Sequence, residues 1–194
     1  MQNKSEINEP LLWKNFLEGD LHSLSGIYLN NVNTLYDFGC KFTVDKNLVK
    51  DCIQDIFITF IQTRTRLSDI QHVKGYLLKS LKRKIFMESI KRNKFEEIIE
   101  SGDYRFEIEF QNFNTFENEN DIHSLKRHEV QSAIQTLTNR QKEALYLRFN
   151  LGLNHKEIAQ VLHLNEQSSR ALVFRAIQKI RDVMHLDKKH IKNI

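Results

Sequence analysis

Between Asn154 and Ile180 the chain reads N-H-K-E-I-A-Q-V-L-H-L-N-E-Q-S-S-R-A-L-V-F-R-A-I-Q-K-I, with apolar residues at helical spacing on both sides of a short break. Asn154 is suited to cap a first helix, and Glu157 three residues later completes a capping-box pattern. Ile158, Ala159, Val161 and Leu162 form the apolar face of that helix. His163 and Leu164 make the turn, and Asn165 can cap a second helix. There Leu172, Val173, Ala176, Ile177 and Ile180 form a stripe, with Arg170, Arg175 and Lys179 away from it. Two short amphipathic helices joined this way fit a helix-turn-helix, whose second helix enters the DNA major groove. They also fit an ordinary antiparallel pair with a solvated basic face. The pattern alone leaves both readings open.

The rest of the composition suits a helical, intracellular chain. Gly 6 and Pro 1 among 194 residues are too few for a turn-rich β architecture, and the length allows one domain or two small ones. Hydrophobic content of 40% with 28% charged residues suits a globular fold. No apolar run approaches the roughly 20 residues that cross a bilayer, and Met1–Pro10 is too polar for a signal peptide. Direct membrane insertion and export are therefore not expected, and the location expected is cytoplasmic. Cys40 and Cys52 lie among apolar residues and are expected as buried free thiols in a reducing compartment.

Charge is distributed in blocks. From Lys74 to Lys94 eight basic residues oppose Glu88 alone, a net of +7. From Glu96 to Asp121 nine acidic residues oppose Arg105 alone, a net of −8, and the stretch after Arg170 is basic again. Two cationic segments, each on an amphipathic helix and separated by an anionic one, suggest two nucleic-acid-binding modules on a tether.

Helical segments fill both modules. Pro10 can open a short helix through Phe16, with Leu11, Leu12 and Trp13 as apolar anchors. Asp20 caps a second helix carrying Leu21, Leu24, Ile27, Tyr28, Leu35 and Phe38. Asp45 caps a third, whose Leu48, Val49, Cys52, Ile53, Ile56, Phe57, Phe60 and Ile61 show the clearest 3.6-residue period in the chain. Ser68–His72 reads as a loop, followed by a long basic helix. Most of Asn93–Asp121 reads as linker, although Phe106, Ile108, Phe110, Phe113 and Phe116 are unusual in such a segment and could dock on a domain. Helices resume near Ile122. Thr138 with Gln141 makes another capping box, followed by Ala144, Leu145, Leu147 and Phe149, and Gly152 ends that helix.

Four segments, in order, resemble bacterial RNA polymerase sigma factors of the extracytoplasmic-function (ECF) group. L-V-K-D-C-I-Q-D-I-F-I-T-F, Leu48 to Phe60, resembles that family's A-E-D-L-V-Q-D-V-F-L helix. Y-L-L-K-S-L-K-R-K, Tyr76 to Lys84, resembles its W-L-Y-R-I-A-R-N promoter-melting helix. L-T-N-R-Q-K-E-A-L-Y-L-R-F, Leu137 to Phe149, is similar to the L-P-x-x-x-R-x-x-x-x-L-R opening of region 4. G-L-N-H-K-E-I-A, Gly152 to Ala159, is similar to G-L-S-Y-E-E-I-A, a pattern that other helix-turn-helix regulators share. The resemblance spans most of Leu11 to Met184. It implies an all-α protein of two small helical domains: region 2 over residues 8–94, an acidic linker over 95–121, and a helix-turn-helix region 4 over 122–186.

The resemblance also implies roles. Asp51, Gln54 and Asp55, beside a partly exposed Phe57, would bind the clamp helices of core RNA polymerase; taken alone, such a face is also what a solvated helix shows. Leu67, Ser68, Asp69 and the loop to Lys74 would capture a flipped base of the −10 non-template strand. Lys79, Lys82, Arg83 and Lys84 would hold phosphates nearby, with Tyr76 an aromatic neighbour or simply core. Arg148, Gln167, Ser168, Arg170, Ala171, Phe174 and Arg175 would read a −35 element. The partners implied are core polymerase, promoter DNA and an anti-sigma factor, often membrane-anchored in this family. The acidic linker could shield the basic helices when polymerase is absent, in which case neutralising Glu96, Glu97 and Glu100 raises the affinity of the free protein for DNA.

The sequence departs from the family in places. Ser169 stands where an apolar residue is usual, Arg83 where Asn is common, Tyr76 where Trp is frequent, and Thr138 where Pro is usual. No Gly-rich phosphate loop, nucleophile elbow or zinc-spaced cysteine pair is present, and His155 and His163 have no neighbouring Cys. No enzyme activity, cofactor, metal or small-molecule substrate is therefore expected. Two other classes stay open at this stage: a helix-turn-helix regulator that binds duplex DNA without polymerase, and a sigma-mimicking interaction module. The first has no need of the Leu48–Arg92 motifs, and the second has no need of DNA-facing cations.

Overall fold

The computed structural model describes residues 8–93, 106–108 and 129–191, without the side chains of 92, 93 and 185–191. The readings made for Glu96, Glu97, Glu100, Phe110, Phe113, Phe116 and the helix start near Ile122 lie outside them. The structured elements are all helical, and the chain divides into two compact units, Met1–Glu100 and Ser101–Ile194.

The first unit holds α1 (Glu9–Glu18), α2 (Leu21–Gly39), α3 (Lys46–Thr63) with a single 3-10 turn at Arg64–Arg66, and α4 (Val73–Asn93). Local chemistry sets each start. Asn8, Asp20 and Asp45 cap the first three helices, and Asp45 accepts from the N–H groups of both Asn47 and Leu48 at 3.0 Å. Trp13, fully buried, joins the helices. Its ring lies 5.6 Å from those of Phe16 and Phe60 and 5.5 Å from that of Tyr76. Its indole N–H donates to the Ser68 carbonyl at 3.0 Å, so the core tryptophan also pins the loop before α4. Buried Asn31 is satisfied by Glu9 Oε1 at 2.7 Å and the Ile27 carbonyl at 2.9 Å.

Gly39 sits where α2 comes close to α3 and α4. A Cβ there would lie 2.5 Å from Val49 and 3.2 Å from Ile85, so α2 meets α3 and α4 only because that side chain is absent. The expected stripe of α3 is buried from Leu48 to Phe60, and Ile61 alone of that series is exposed. Leu11 and Leu21, also expected inside, are exposed at the starts of their helices, where fewer neighbours reach them. Cys52 is buried as expected, which pushes its thiol up to about 11, whereas Cys40 is only half-buried.

The second unit contains α5, described over residues 129–135, α6 (Asn139–Leu145), α7 (His155–Leu162) and α8 (Glu166–Ile191). The Thr138–Gln141 and Asn154–Glu157 capping boxes both form. After α6 the chain widens into a π turn at Tyr146–Asn150, closed by Leu151 N–H to the Tyr146 carbonyl at 3.2 Å. That wider turn breaks the 3.6-residue phase and leaves Phe149 exposed, contrary to its expected place in the apolar series. Gly152, at φ 69°, turns the chain toward α7. His163, at φ 54°, closes α7 in the left-handed conformation, and Asn165 Oδ1 accepts the Ser168 N–H at 2.7 Å to start α8.

Phe106 docks on a domain, the alternative that the sequence leaves open for it. It is buried in this unit, its ring 5.7 Å from that of Tyr146, and its N–H donates to Asn139 Oδ1 at 3.3 Å. Residues 106–108 therefore belong to the packed second unit.

Candidate nucleic-acid and protein interfaces

On α3, Asp51, Gln54 and Asp55 are all exposed, as expected. Phe57 is not. It is 7% exposed, edge-on to Tyr28 at 5.1 Å, because its position falls in phase with Ile53, Ile56 and Phe60 on the core side. The apolar groups that accompany the acidic face are Ile58 and Ile61, each 49% exposed. They continue from Gln54 at spacings of four and three residues, so they share its face. The sequence reading did not single out either residue for this face. Ile58 fell outside the buried series, and that off-phase position was the available signal.

The loop at 67–72 leaves Leu67 and Ile70 half-buried, with Ser68, Asp69 and Gln71 exposed. Along α4, Val73, Leu77, Leu78, Leu81 and Ile85 are buried. Lys79 and Arg83, four residues apart, share the side opposite to Leu81, with Arg83 exposed and Lys79 half-buried. Lys74 is half-buried near the start of the helix. The Lys82 ammonium lies 5.5 Å from the Phe42 ring centroid and 5.8 Å from that of Phe86, a cation held over aromatic faces. Tyr76 stacks on Phe60 at 5.6 Å, and burial raises its phenol pKa; it is chiefly a core residue.

Lys84 departs from the expected cluster. Five residues on from Lys79, it lies about 140° around the helix. Its ammonium sits 2.8 Å from Asp55 and 3.3 Å from Glu88, and the bond from Asp55, with further help from Glu88, raises its pKa. Glu88 in turn meets Lys91 at 2.9 Å, and its pKa is lowered by Lys91 first and Lys84 second. Lys84 thus joins α4 to α3 through a residue of the candidate protein-binding face.

In the second unit, α8 packs through Ser169, Val173 and Ala176. Gln167, Arg170, Phe174 and Arg175 are exposed, while Ser168 and Ala171 are half-buried. Phe174, at 61%, is far more exposed than an aromatic residue that serves packing. Arg148 is half-buried and donates through Nη1 to the Leu153 carbonyl at 3.0 Å, fixing the loop before α7. Arg140 donates to the Leu162 carbonyl at 3.1 Å, at the end of α7. Among the described residues, two buried polar atoms lack a hydrogen-bond partner, Ser169 Oγ and His155 Nδ1. Burial, then Arg170 and Arg148, lower the His155 pKa. Among the described residues no His, Cys, Asp and Glu side chains gather into a metal site, and no helix is long and apolar enough to cross a membrane.

A loop beside a cationic helix in the first unit, and in the second a helix-turn-helix with a basic, partly aromatic outer face, are the features of a nucleic-acid-binding protein. The family description "Sigma-70, region 4" matches residues 127–180. The chain is 26% identical over 162 residues to the ECF RNA polymerase sigma factor SigM of Bacillus subtilis (strain 168), covering 82% of this chain and 93% of that one. Its fold is similar to that of CnrH, solved with the cytosolic domain of CnrY: TM-score 0.59 and 16% identity, covering 93% of this chain and 99% of that one. It is similar also to RpoE of Bartonella quintana, solved with the anti-sigma factor NepR: TM-score 0.57 and 14% identity, covering 86% and 99%. Residues 127–180 thus match region 4 of the sigma-70 family, and over most of its length the chain is similar to an ECF sigma factor. Sigma factors are not enzymes; they lend promoter specificity to one.

Proposed function

We propose that residues 8–94 act as region 2, binding core RNA polymerase and opening the −10 element, that 95–121 connect the two modules with 106–108 docked on the second, and that 122–186 act as region 4 at the −35 element. The observation that carries this reading is the outer side of α8, where an exposed Phe174 stands between Arg170 and Arg175 while Ser169, Val173 and Ala176 are buried. Guanidinium groups suit guanine edges and phosphates, and an aromatic ring suits a thymine methyl.

At the −10 element, Leu67, Ser68 and Asp69 border the base-receiving loop, which the Trp13 bond to Ser68 holds in one shape. Lys74, Lys79, Lys82 and Arg83 supply the phosphate contacts, and Lys84 is left to α3. Extruding a base costs a few kcal/mol, so strand opening depends on polymerase contacts made in the same complex. Those contacts fall to Asp51, Gln54 and Asp55 with Ile58 and Ile61. The protein acts in the cytoplasm and is held inactive by an anti-sigma factor, as the partners of the solved relatives suggest.

The test is size-exclusion co-elution with bacterial core RNA polymerase at moderate salt, comparing wild type with Asp51→Arg/Gln54→Arg. Asp55 is left unaltered because it holds Lys84. Complex formation by the wild type, lost in the variant at an unchanged melting temperature, supports the reading. Equal co-elution removes the α3 face from it, and no association by the wild type overturns it.

A further inference from the structure

Glu166 opens α8, and its Oε1 lies 2.6 Å from Arg170 Nη2, with 39% and 62% of the two side chains exposed. Glu166, Arg170 and Phe174 are spaced by four residues and so form one row along the helix: an acceptor, a donor and an apolar ring. An exposed pair of this kind adds little to stability. Facing DNA, a carboxylate is repelled by every phosphate it approaches, whatever the sequence. The row therefore carries a general electrostatic cost unless the carboxylate gains something from a particular base.

Two gains are chemically available. The guanidinium carries five N–H donors, so one held by Glu166 leaves the others for a guanine edge, with the fork already oriented. The carboxylate retains lone pairs for a base amino group, and in the major groove the amino group that suits Glu is cytosine N4. One helical turn separates the two side chains by about 6 Å along the axis, which places them within one or two base-pair steps of each other. The bond donated by Arg170, above all, with Lys156 nearby, keeps Glu166 below the usual carboxylate range and ionised at neutral pH.

We propose that Glu166 is a specificity-determining residue of the −35 interface, accepting from a cytosine amino group while orienting Arg170 toward a guanine one or two steps away. This rests on the region 4 reading above. The test is selection of bound duplexes from a library randomised across the −35 half, using holoenzyme assembled with wild type, Glu166→Gln or Arg170→Lys.

The expected result is a wild-type motif containing a cytosine and a guanine within two steps. Glu166→Gln should lose the cytosine preference by about fivefold or more, the scale of one good base contact, with the guanine preference reduced less. Arg170→Lys should weaken the guanine position. An unchanged motif with uniformly tighter binding by Glu166→Gln would show that the carboxylate only repels phosphate, and overturns the proposal. A wild-type holoenzyme that selects no motif overturns the −35 reading and this inference together.

Discussion

Ser169 shows how one hydroxyl can work against the element that carries it. It is fully exposed to the protein interior and to no solvent, and its Oγ has no hydrogen-bond partner. A buried polar group left unpaired costs about 1–3 kcal/mol. Ser169→Ala removes that group at almost constant volume and leaves the exposed side of α8 unchanged. The variant should therefore be more stable by about 1 kcal/mol in thermal or denaturant unfolding, and a lower melting temperature would mean that the hydroxyl is satisfied in solution. The resemblance marked this position as a departure, because an apolar residue is usual there in the family. Phe57 ran the other way. Its place in the apolar stripe of α3 argued for burial, its position beside the acidic face for partial exposure, and packing against Tyr28 decides for the core.

Between residue and fold, the angular position of a side chain around its helix divides side chains that are neighbours in sequence. Lys79, Lys82, Arg83 and Lys84 read as one basic cluster, but α4 turns Lys84 toward Asp55 and Glu88. Each phosphate contact made to a single strand contributes about 0.7 to the slope of log affinity against log salt. For the holoenzyme on a −10 single strand, Arg83→Gln should reduce that slope by about 0.7, whereas Lys84→Gln should leave it nearly unchanged. An equal reduction in both would mean that Lys84 leaves its carboxylates to meet DNA. The helix boundaries were legible because capping is local: Asp20, Asp45, Thr138, Asn154 and Asn165 each accept from an N–H two or three residues ahead. The π turn after α6 was not legible, since it depends on how the following loop packs, and with it Phe149 left the core.

For the whole molecule, the consequential outcome is Phe106, whose docking the sequence leaves open without saying where. An acidic stretch with scattered aromatics gave no period to follow, yet this ring is buried against Tyr146 in the second unit. Deleting a buried phenyl typically costs about 3–5 kcal/mol. The chain's one tryptophan, Trp13, lies in the first unit. Phe106→Ala should therefore lower the unfolding midpoint seen by far-ultraviolet circular dichroism, while the midpoint seen by tryptophan fluorescence stays in place. Equal shifts in both signals would show that the two units unfold together. The sequence by itself determined the helices, their caps, the helix-turn-helix and the family resemblance, because these depend on spacing within a few residues. Tertiary structure decided which charges face outward, that Asp55 holds Lys84, and where residues 106–108 lie. Those outcomes depend on neighbours brought close by packing, and local spacing carries no record of them.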